Sequence, residues 1–340
     1  MSSETVDPIV SVITPTYNRA PLLPRALRSV LSQDFQDLEL IVVDDGSTDE
    51  TPEIIASFSD PHLRCIRFPE NRGIGAARHA GIEAARGELI AFIDSDDVWL
   101  PGKLEYQVSL FRKYPDVDII FGDYHNINFN INFQTRSIAL GFQQTQRGRR
   151  YLEVSQLAPD FWQILSGLPE ALLVSHVIGT ASVVMLRHRV FSQIGNFRVD
   201  LSGPEDFEFW FRAAVKGIRF AYTTRPLIER HKDAQSITAR TLSFVPQRLR
   251  ALEYCEATAR EAGRLDLIPP LNSARYRSWC GLVKEYARVG RRREALHAFS
   301  QALRYGFTPQ LLLYGALALG GAQTFSLARS IRRAVVGGSR

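Results

Sequence analysis

The pattern of apolar and polar residues over the first hundred positions predicts strands that alternate with helices. Short apolar runs typical of buried strands lie at residues 9–14, 38–43, 63–68 and 88–93. Apolar or small residues recur at helical spacing in the intervening residues 21–33, 49–58 and 73–86. Repetition of strand, helix and strand at this pitch indicates a parallel sheet with right-handed crossovers, and therefore an α/β fold.

The rest of the chain is less regular and predicts two domains. We expect a helix and a strand after residue 101, and further strands and one helix between residues 180 and 231. Residues 124–150, which are rich in Asn, Gln and Arg, predict an irregular insertion or a hairpin. The composition becomes helical near residue 244, and residues 273–309 have the spacing of one tetratricopeptide-like helical pair. We place the domain boundary between residues 240 and 241.

Composition and charge narrow the classes of function. The 340 residues carry a formal charge of +5, which suits an anionic ligand or an anionic membrane surface. The basic residues are too dispersed for a nucleic-acid site. Three distant cysteines indicate reduced, buried thiols, as in the cytoplasm. The polar first eight residues do not resemble a signal peptide.

One uncharged stretch, residues 305–328, bears on membrane contact. Its continuous apolar part, residues 311–319, has nine residues, whereas a spanning helix needs about 20. We therefore expect a buried or interfacial helix here and not a membrane span.

Polar motifs follow three of the predicted strands. They are TPTYN at residues 14–18, DDG at residues 44–46 and DSDD at residues 94–97. Ligands of open α/β sheets bind at the carboxyl ends of the strands. We therefore expect these motifs to meet at one edge of the sheet, although about 80 residues of chain separate them.

The DSDD motif carries the strongest chemical signal. Three carboxylates in four residues repel one another unless a cation neutralises them. Mg²⁺ and Mn²⁺ prefer oxygen ligands and often keep a substrate diphosphate as a further ligand. The alternative is a solvated acidic turn. At residues 44–49 we expect Ser47 or Thr48 to cap the helix that follows, and the alternative is that the motif is only a turn with this cap. A helix cap does not require two adjacent aspartates, so Asp44 and Asp45 favour contact with a base or ribose.

A second acidic group opens the helix predicted at residues 204–217. The helix dipole favours ionised Glu205 and Asp206 in the first turn, where an ionised carboxylate can act as a general base. Acidic residues are also common at helix N-termini without any function. The aromatic residues at 207–211 are expected to be core, with Trp210 as an alternative sugar-stacking surface. A lone histidine such as His231 is usually structural.

Four segments together resemble the family 2 glycosyltransferases. They are residues 10–19 (VSVITPTYNR), 39–51 (ELIVVDDGSTDET), 71–78 (NRGIGAAR) and 92–97 (FIDSDD). The resemblance implies a glycosyltransferase A-type fold, a Rossmann-like mixed sheet flanked by helices, to which the composition adds a C-terminal α-helical region. It also implies inversion at the anomeric carbon.

The resemblance assigns donor-binding roles residue by residue. Pro15 and Tyr17 would line the pocket for the nucleotide base. Asp45 would accept a hydrogen bond from the base, and Asp44 would support that loop. Arg78 would reach the donor.

The same resemblance assigns the metal site, for Mn²⁺ or Mg²⁺. Asp94 and Asp96 form a D-x-D pair on the ribose and the metal, with Ser95 between them at the donor. Asp97 and His231 are further candidate metal ligands.

The implied reaction is a direct displacement. Asp206 would deprotonate an acceptor hydroxyl, and Glu205 would orient Asp206 or bind the acceptor. The donor would be a nucleotide diphosphate sugar, UDP being commonest in the family. The implied acceptor is a growing surface glycan or a lipid-linked saccharide. The expected location is the cytoplasm, with peripheral contact at the cytoplasmic face of a membrane.

The sequence allows two alternatives to a glycosyltransferase. A nucleotidyltransferase would need a glycine-rich basic loop after the first strand, where this chain has TPTYNR. A non-catalytic scaffold would act through the helical tail, and it would have no need for Asp94, Asp96 and Asp206 together.

Overall fold

The chain forms two compact units in a computed structural model that describes residues 7–128, 148, 150–175, 177–232 and 241–308, together with 311, 315 and 319. The units are Met1–Ala234 and Gln235–Arg340. The domain boundary that we place between residues 240 and 241 stays a prediction.

The described part of the first unit contains a ten-stranded mixed sheet. Its strands are β1 (Val10–Thr16), β2 (Leu38–Asp44), β3 (Leu63–Arg67), β4 (Leu89–Phe92), β5 (Val98–Trp99), β6 (Ile119–Asn128), β7 (Glu153–Ala158), β8 (Phe161–Ser166), β9 (Val184–Arg187) and β10 (Phe220–Lys232). The order across the sheet is β3-β2-β1-β4-β9-β6-β10-β8-β7, and β5 pairs with β10.

Helices flank this sheet. They are α1 (Leu23–Leu31), α2 (Thr51–Ala56), α3 (Ile74–Ala84), α4 (Lys103–Lys113), α5 (Leu168–Val174), α6 (Arg189–Ile194) and α7 (Glu205–Val215). The predicted crossovers are confirmed for the first four strands, because β1 pairs in parallel with β2 and β4, and β2 pairs in parallel with β3. Every residue of β1 and β2 is buried, as their apolar runs indicated. The predicted fold class, a mixed sheet flanked by helices, is confirmed.

The second half of the sheet differs from the sequence prediction. β9 is antiparallel to both β4 and β6, and a short 3₁₀ turn, Ala181–Val183, precedes it where the sequence suggested strand. β6 continues to Asn128 beside β10, so residues 124–128 are strand and not insertion. The rest of the predicted insertion lies mostly outside the described residues. The β7–β8 hairpin and helices α5 and α6 had no clear sequence signal.

The described part of the second unit is helical. Helices α8 (Thr241–Glu261), α9 (Ile268–Arg288) and α10 (Arg292–Leu303) pack around a small core that includes Leu282, Val283, Ala287, Ala295 and Ala298. Small alanines allow α9 and α10 to approach closely. That this pair is a tetratricopeptide-like unit stays a prediction.

Among the described residues no helix combines the length and apolar character needed to cross a membrane. The uncharged stretch at residues 305–328 lies mostly outside the described residues.

All three cysteines are free thiols. Cys255 is buried as expected and Cys280 is half-buried, but the expectation is wrong for Cys65, which is exposed because β3 is an edge strand.

Candidate functional site

The carboxyl ends of β1 and β2 lie side by side and begin the candidate site. Thr16 is the register partner of Asp44, and the Asp45 amide donates to the Thr16 carbonyl at 2.9 Å. Tyr17 follows with 43% of its surface exposed, whereas Pro15 is buried within β1. Of the two residues predicted to line a base pocket, Tyr17 therefore offers the exposed ring.

Asp44 and Asn18 hold the loop after β2 in place. Asp44 Oδ1 accepts from the Ser47 amide at 2.9 Å and so ties down the loop that follows β2. Asn18, in the left-handed region at φ 51°, accepts from the Thr48 amide at 2.8 Å. The expectation that Ser47 or Thr48 caps α2 is wrong, because both face the loop of Asn18 and the helix begins after Glu50.

Asp45 anchors the segment that leads into α3. Its two carboxylate oxygens accept from Asn71 Nδ2 at 2.9 Å, the Arg72 amide at 2.7 Å and the Gly73 amide at 2.8 Å. Burial raises the pKa of Asp45 despite these donors. These three donors occupy most of the lone pairs of the carboxylate, so in the described contacts Asp45 anchors a loop. Its predicted role, to accept a hydrogen bond from the base, stays a prediction.

Arg78 joins the D-x-D loop to the acidic helix. Its buried guanidinium donates to Asp94 Oδ1 at 2.6 Å through one arm and to Glu205 Oε1 through the other. Burial would lower the pKa of Arg78, but the carboxylates of Asp94, Glu205 and Asp206 outweigh it and raise that pKa. The residue predicted to reach the donor thus bridges two acidic segments, one of which, at Glu205, lies 127 positions after Arg78 in the chain.

The D-x-D loop has buried and accessible members. The side chain of Asp94 is 26% exposed and Asp96 is half-buried, whereas Ser95 and Asp97 are buried. Burial raises the pKa of Asp97 well above its ordinary value, and the nearby charges of Asp94 and Asp96 raise it further. Asp94 and Asp96 are therefore the members of this loop that a ligand can reach most readily.

Two hydroxyl residues that sequence reasoning missed also hold this loop. Thr180 Oγ1 donates to Asp94 Oδ2 at 3.0 Å, and the Asp94 amide donates to Ser182 Oγ at 2.9 Å. Their only sequence signal is a pair of short polar residues just before a predicted strand, which is too common to stand out.

The acidic helix α7 presents two different carboxyl groups. Glu205 is 1% exposed and accepts from the Gly203 amide at 2.7 Å, while Asp206 is half-buried. Burial raises the pKa of Glu205 to about 7, with Arg78 opposing the shift and Asp206 adding to it. Of the two, Asp206 is the more accessible to a substrate.

The raised pKa of Glu205 predicts a pH dependence of stability. Because that pKa is about 7 in the folded chain and ordinarily 4.5, the folded state binds the proton more tightly than the unfolded chain. This contribution is complete below about pH 4.5 and is lost as the pH rises to about 7. We expect Glu205→Gln, which cannot ionise, to gain stability relative to the original chain over this range, measured as urea midpoints. Parallel profiles for the two chains would contradict the assignment.

The aromatic residues of α7 are core. Trp210 is fully buried, with ring centroids 6.0 Å from Phe197 and 5.1 Å from Phe209. The expectation of a core face is therefore confirmed. The alternative, in which Trp210 stacks on a sugar, is wrong.

The predicted metal ligands do not form a cage of protein side chains. Within the described ranges no group of three or more His, Cys, Asp or Glu side chains is arranged to hold a metal. His231 donates its amide to Asp97 Oδ1 at 3.2 Å, and its ring Nε2 lies 3.6 Å from Glu229 Oε2. The donor set still fits a hard divalent ion held by one or two carboxylates and by substrate phosphates.

The sequence of the chain is similar to those of known glycosyltransferases. The model of the family described as "Glycosyl transferase family 2" matches residues 11–170. WfgD of Escherichia coli, a UDP-Glc:alpha-D-GlcNAc-diphosphoundecaprenol beta-1,3-glucosyltransferase, is 37% identical over 36% of this chain and 49% of its own length. The chain spans 60% of the length of two other curated glycosyltransferases, which it matches at 29% identity.

Solved structures share the fold at low sequence identity. Staphylococcus aureus TarS in complex with UDP-GlcNAc is similar with a TM-score of 0.56 and 19% identity, over 87% of this chain and 88% of that one. The mannosyltransferase PcManGT from Pyrobaculum calidifontis, in complex with GDP-Man and Mn²⁺, has a TM-score of 0.52 and 20% identity, over 95% and 84%. These likenesses show the architecture.

Proposed function

Since the chain belongs to glycosyl transferase family 2, we propose that it moves a sugar from a nucleotide diphosphate sugar to a hydroxyl group of an acceptor, with inversion. One observation carries the proposal. The buried guanidinium of Arg78 ties Asp94, in the D-x-D loop, to Glu205, beside Asp206. The candidate donor loop and the candidate base are therefore parts of one site.

The donor side is built at the ends of β1, β2 and β4. Tyr17 provides an exposed ring for the base, and Asp44 keeps the neighbouring loop in shape through Ser47. A UDP-sugar is the proposed donor, and the UDP-Glc in the name of WfgD supports that choice.

The acceptor side is built at the start of α7. Asp206 is half-buried, and its negative charge acts on Arg78, so its carboxylate lies near the same guanidinium as Asp94. The helix N-terminus favours its ionised form. We assign Asp206 as the base that takes the proton of the acceptor hydroxyl, and Glu205 as the residue that orients Arg78. A single displacement with this base inverts the anomeric carbon.

Three carboxyl groups close together in one loop favour a divalent cation. Asp94, Asp96 and Asp97 lie in one loop, and the two former carboxylates disfavour ionisation of the third. Asp94 and Asp96 are the side chains that would hold Mn²⁺ or Mg²⁺ together with the donor diphosphate. Bound there, the ion would stabilise the negative charge of the departing nucleotide diphosphate. The Mn²⁺ bound to PcManGT supports this assignment.

The acceptor is proposed to be a glycan or a lipid-linked saccharide in surface polysaccharide synthesis. The diphosphoundecaprenol-linked sugar in the name of WfgD supports this class. The basic surplus of the chain suits the anionic diphosphate of such an acceptor and peripheral contact with an anionic membrane.

Thermal unfolding with nucleotide and metal tests the proposal. UDP at about 100 times its Kd, with Mn²⁺, is expected to raise the Tm by about 5–10 °C, because a ligand of the folded state stabilises it by mass action. The shift should disappear with EDTA. A panel of activated sugars, assayed for release of nucleotide diphosphate, then identifies the donor. A chain that binds no nucleotide diphosphate and releases none would overturn the proposal in favour of a scaffold.

A further inference from the structure

The carboxylate of Asp94 is held from two opposite directions. Arg78 donates to Oδ1 at 2.6 Å, and Thr180 Oγ1 donates to Oδ2 at 3.0 Å. The backbone amide of the same residue donates to Ser182 Oγ at 2.9 Å. The geometry points to Thr180 and Ser182 as positioning residues for the D-x-D loop, an inference that rests on the function proposed above.

Sheet topology explains why this turn meets that loop. β9 runs antiparallel to β4, with Met185 opposite Ala91, so the start of β9 lies at the end of β4. The 3₁₀ turn Ala181–Val183 immediately precedes β9 and therefore reaches the residue that follows β4. The contact joins residues 86 and 88 positions apart, so it is tertiary and not a local turn bond.

The Thr180 hydroxyl has a defined direction. Its oxygen accepts from the Ser182 amide at 3.4 Å, and Thr180 is the N-cap of the turn, so its proton is left to point at Asp94. Thr180 is 4% exposed and Ser182 is fully buried, so water does not compete for these hydroxyls. A hydrogen bond to a carboxylate is among the stronger ones, and here it fixes one rotamer of Asp94.

Ser182 contacts two residues of the loop. Its oxygen accepts from the Asp94 backbone amide, and its side chain also interacts with the side chain of Asp97. Gly179, just before this turn, is in the left-handed region at φ +85°, and a Cβ there would lie 2.5 Å from Tyr124 Cε1. The backbone just before the turn is therefore packed against the Tyr124 ring.

Donor affinity tests this inference. Thr180→Val removes the hydroxyl and keeps the branched shape, and we expect it to raise the Kd for UDP with Mn²⁺ about 10- to 100-fold, as losses of such supporting bonds do. The Mn²⁺ concentration for half-maximal binding should rise as well. Thr180→Ser keeps the hydroxyl and should bind UDP within about threefold of the original chain. Thr258→Val, at an equally buried threonine in α8, is the matched control and should leave the Kd unchanged.

The outcomes separate this inference from the proposed function. If the original chain binds UDP and Thr180→Val binds it equally well, the positioning role is wrong although the function stands. Equal losses in Thr180→Val and Thr180→Ser would show that packing matters and not the hydroxyl, which also overturns the role. If the original chain binds no nucleotide diphosphate, the proposed function itself fails.

Discussion

Asp206→Asn is expected to keep nucleotide binding and to reduce turnover about 10²- to 10⁴-fold, the usual contribution of a general base. The amide has nearly the shape of the carboxylate but does not take a proton from the acceptor hydroxyl. Because Asp206 is half-buried at the start of α7 and acts electrostatically on Arg78, the substitution changes charge without emptying a core position. Release of nucleotide diphosphate in the presence of acceptor, with the Kd for UDP, checks both halves of the expectation.

The control for this variant is Asp116→Asn, an exposed aspartate paired with Arg219 beyond the amino end of β6. It makes the same chemical change away from the carboxyl ends of the strands and should retain full turnover. Unchanged turnover in Asp206→Asn would move the base elsewhere, with Glu205 first in line.

Asp96→Asn is expected to abolish metal-dependent donor binding. A divalent ion contributes several kcal/mol to such a site, and at 1.4 kcal/mol per tenfold this weakens UDP binding with Mn²⁺ by at least about 100-fold. Titration calorimetry of UDP, with Mn²⁺ and with EDTA, measures the effect. In the variant the two titrations should coincide.

Asp34→Asn is the control for this second prediction, because Asp34 is an exposed aspartate just after α1. It should keep the full difference between Mn²⁺ and EDTA. If Asp96→Asn also keeps that difference, Asp96 is not a metal ligand, and Asp94 becomes the carboxylate to test.

The first half of the fold could be predicted from the sequence because each of its strands and helices shows a pattern within one continuous stretch of chain. Each strand from β1 to β4 is an apolar run, and parallel pairing of consecutive strands through short helices allows few topologies. The antiparallel insertion of β9 between β4 and β6 has no such signal, because the paired residues lie 94 to 98 positions earlier in β4 and 63 to 67 positions earlier in β6. The mixed sequence of β7 and β8 hid the edge hairpin for a similar reason.

The candidate site was predictable where its residues lie within a motif. Asp94, Asp96, Glu205 and Asp206 stand in short acidic motifs at element ends, and the resemblance inferred from the four segments is confirmed by the family model, which matches residues 11–170. Their individual roles stay predictions. The sequence does not show which residue each side chain contacts. Asp45 accepts hydrogen bonds from residues 71–73, and Thr180 donates one to Asp94, far away in the chain.

The fork of Arg78 has a consequence for attempts to redesign this chain. One guanidinium holds Asp94 on one side and Glu205 on the other, and a lysine, with a single ammonium, does not reproduce two separate arms. A library of variants at the start of α7, selected for a new acceptor, will therefore disturb the donor loop through this shared cation. Selection for sugar and for acceptor should be run together, because the two specificities do not vary independently.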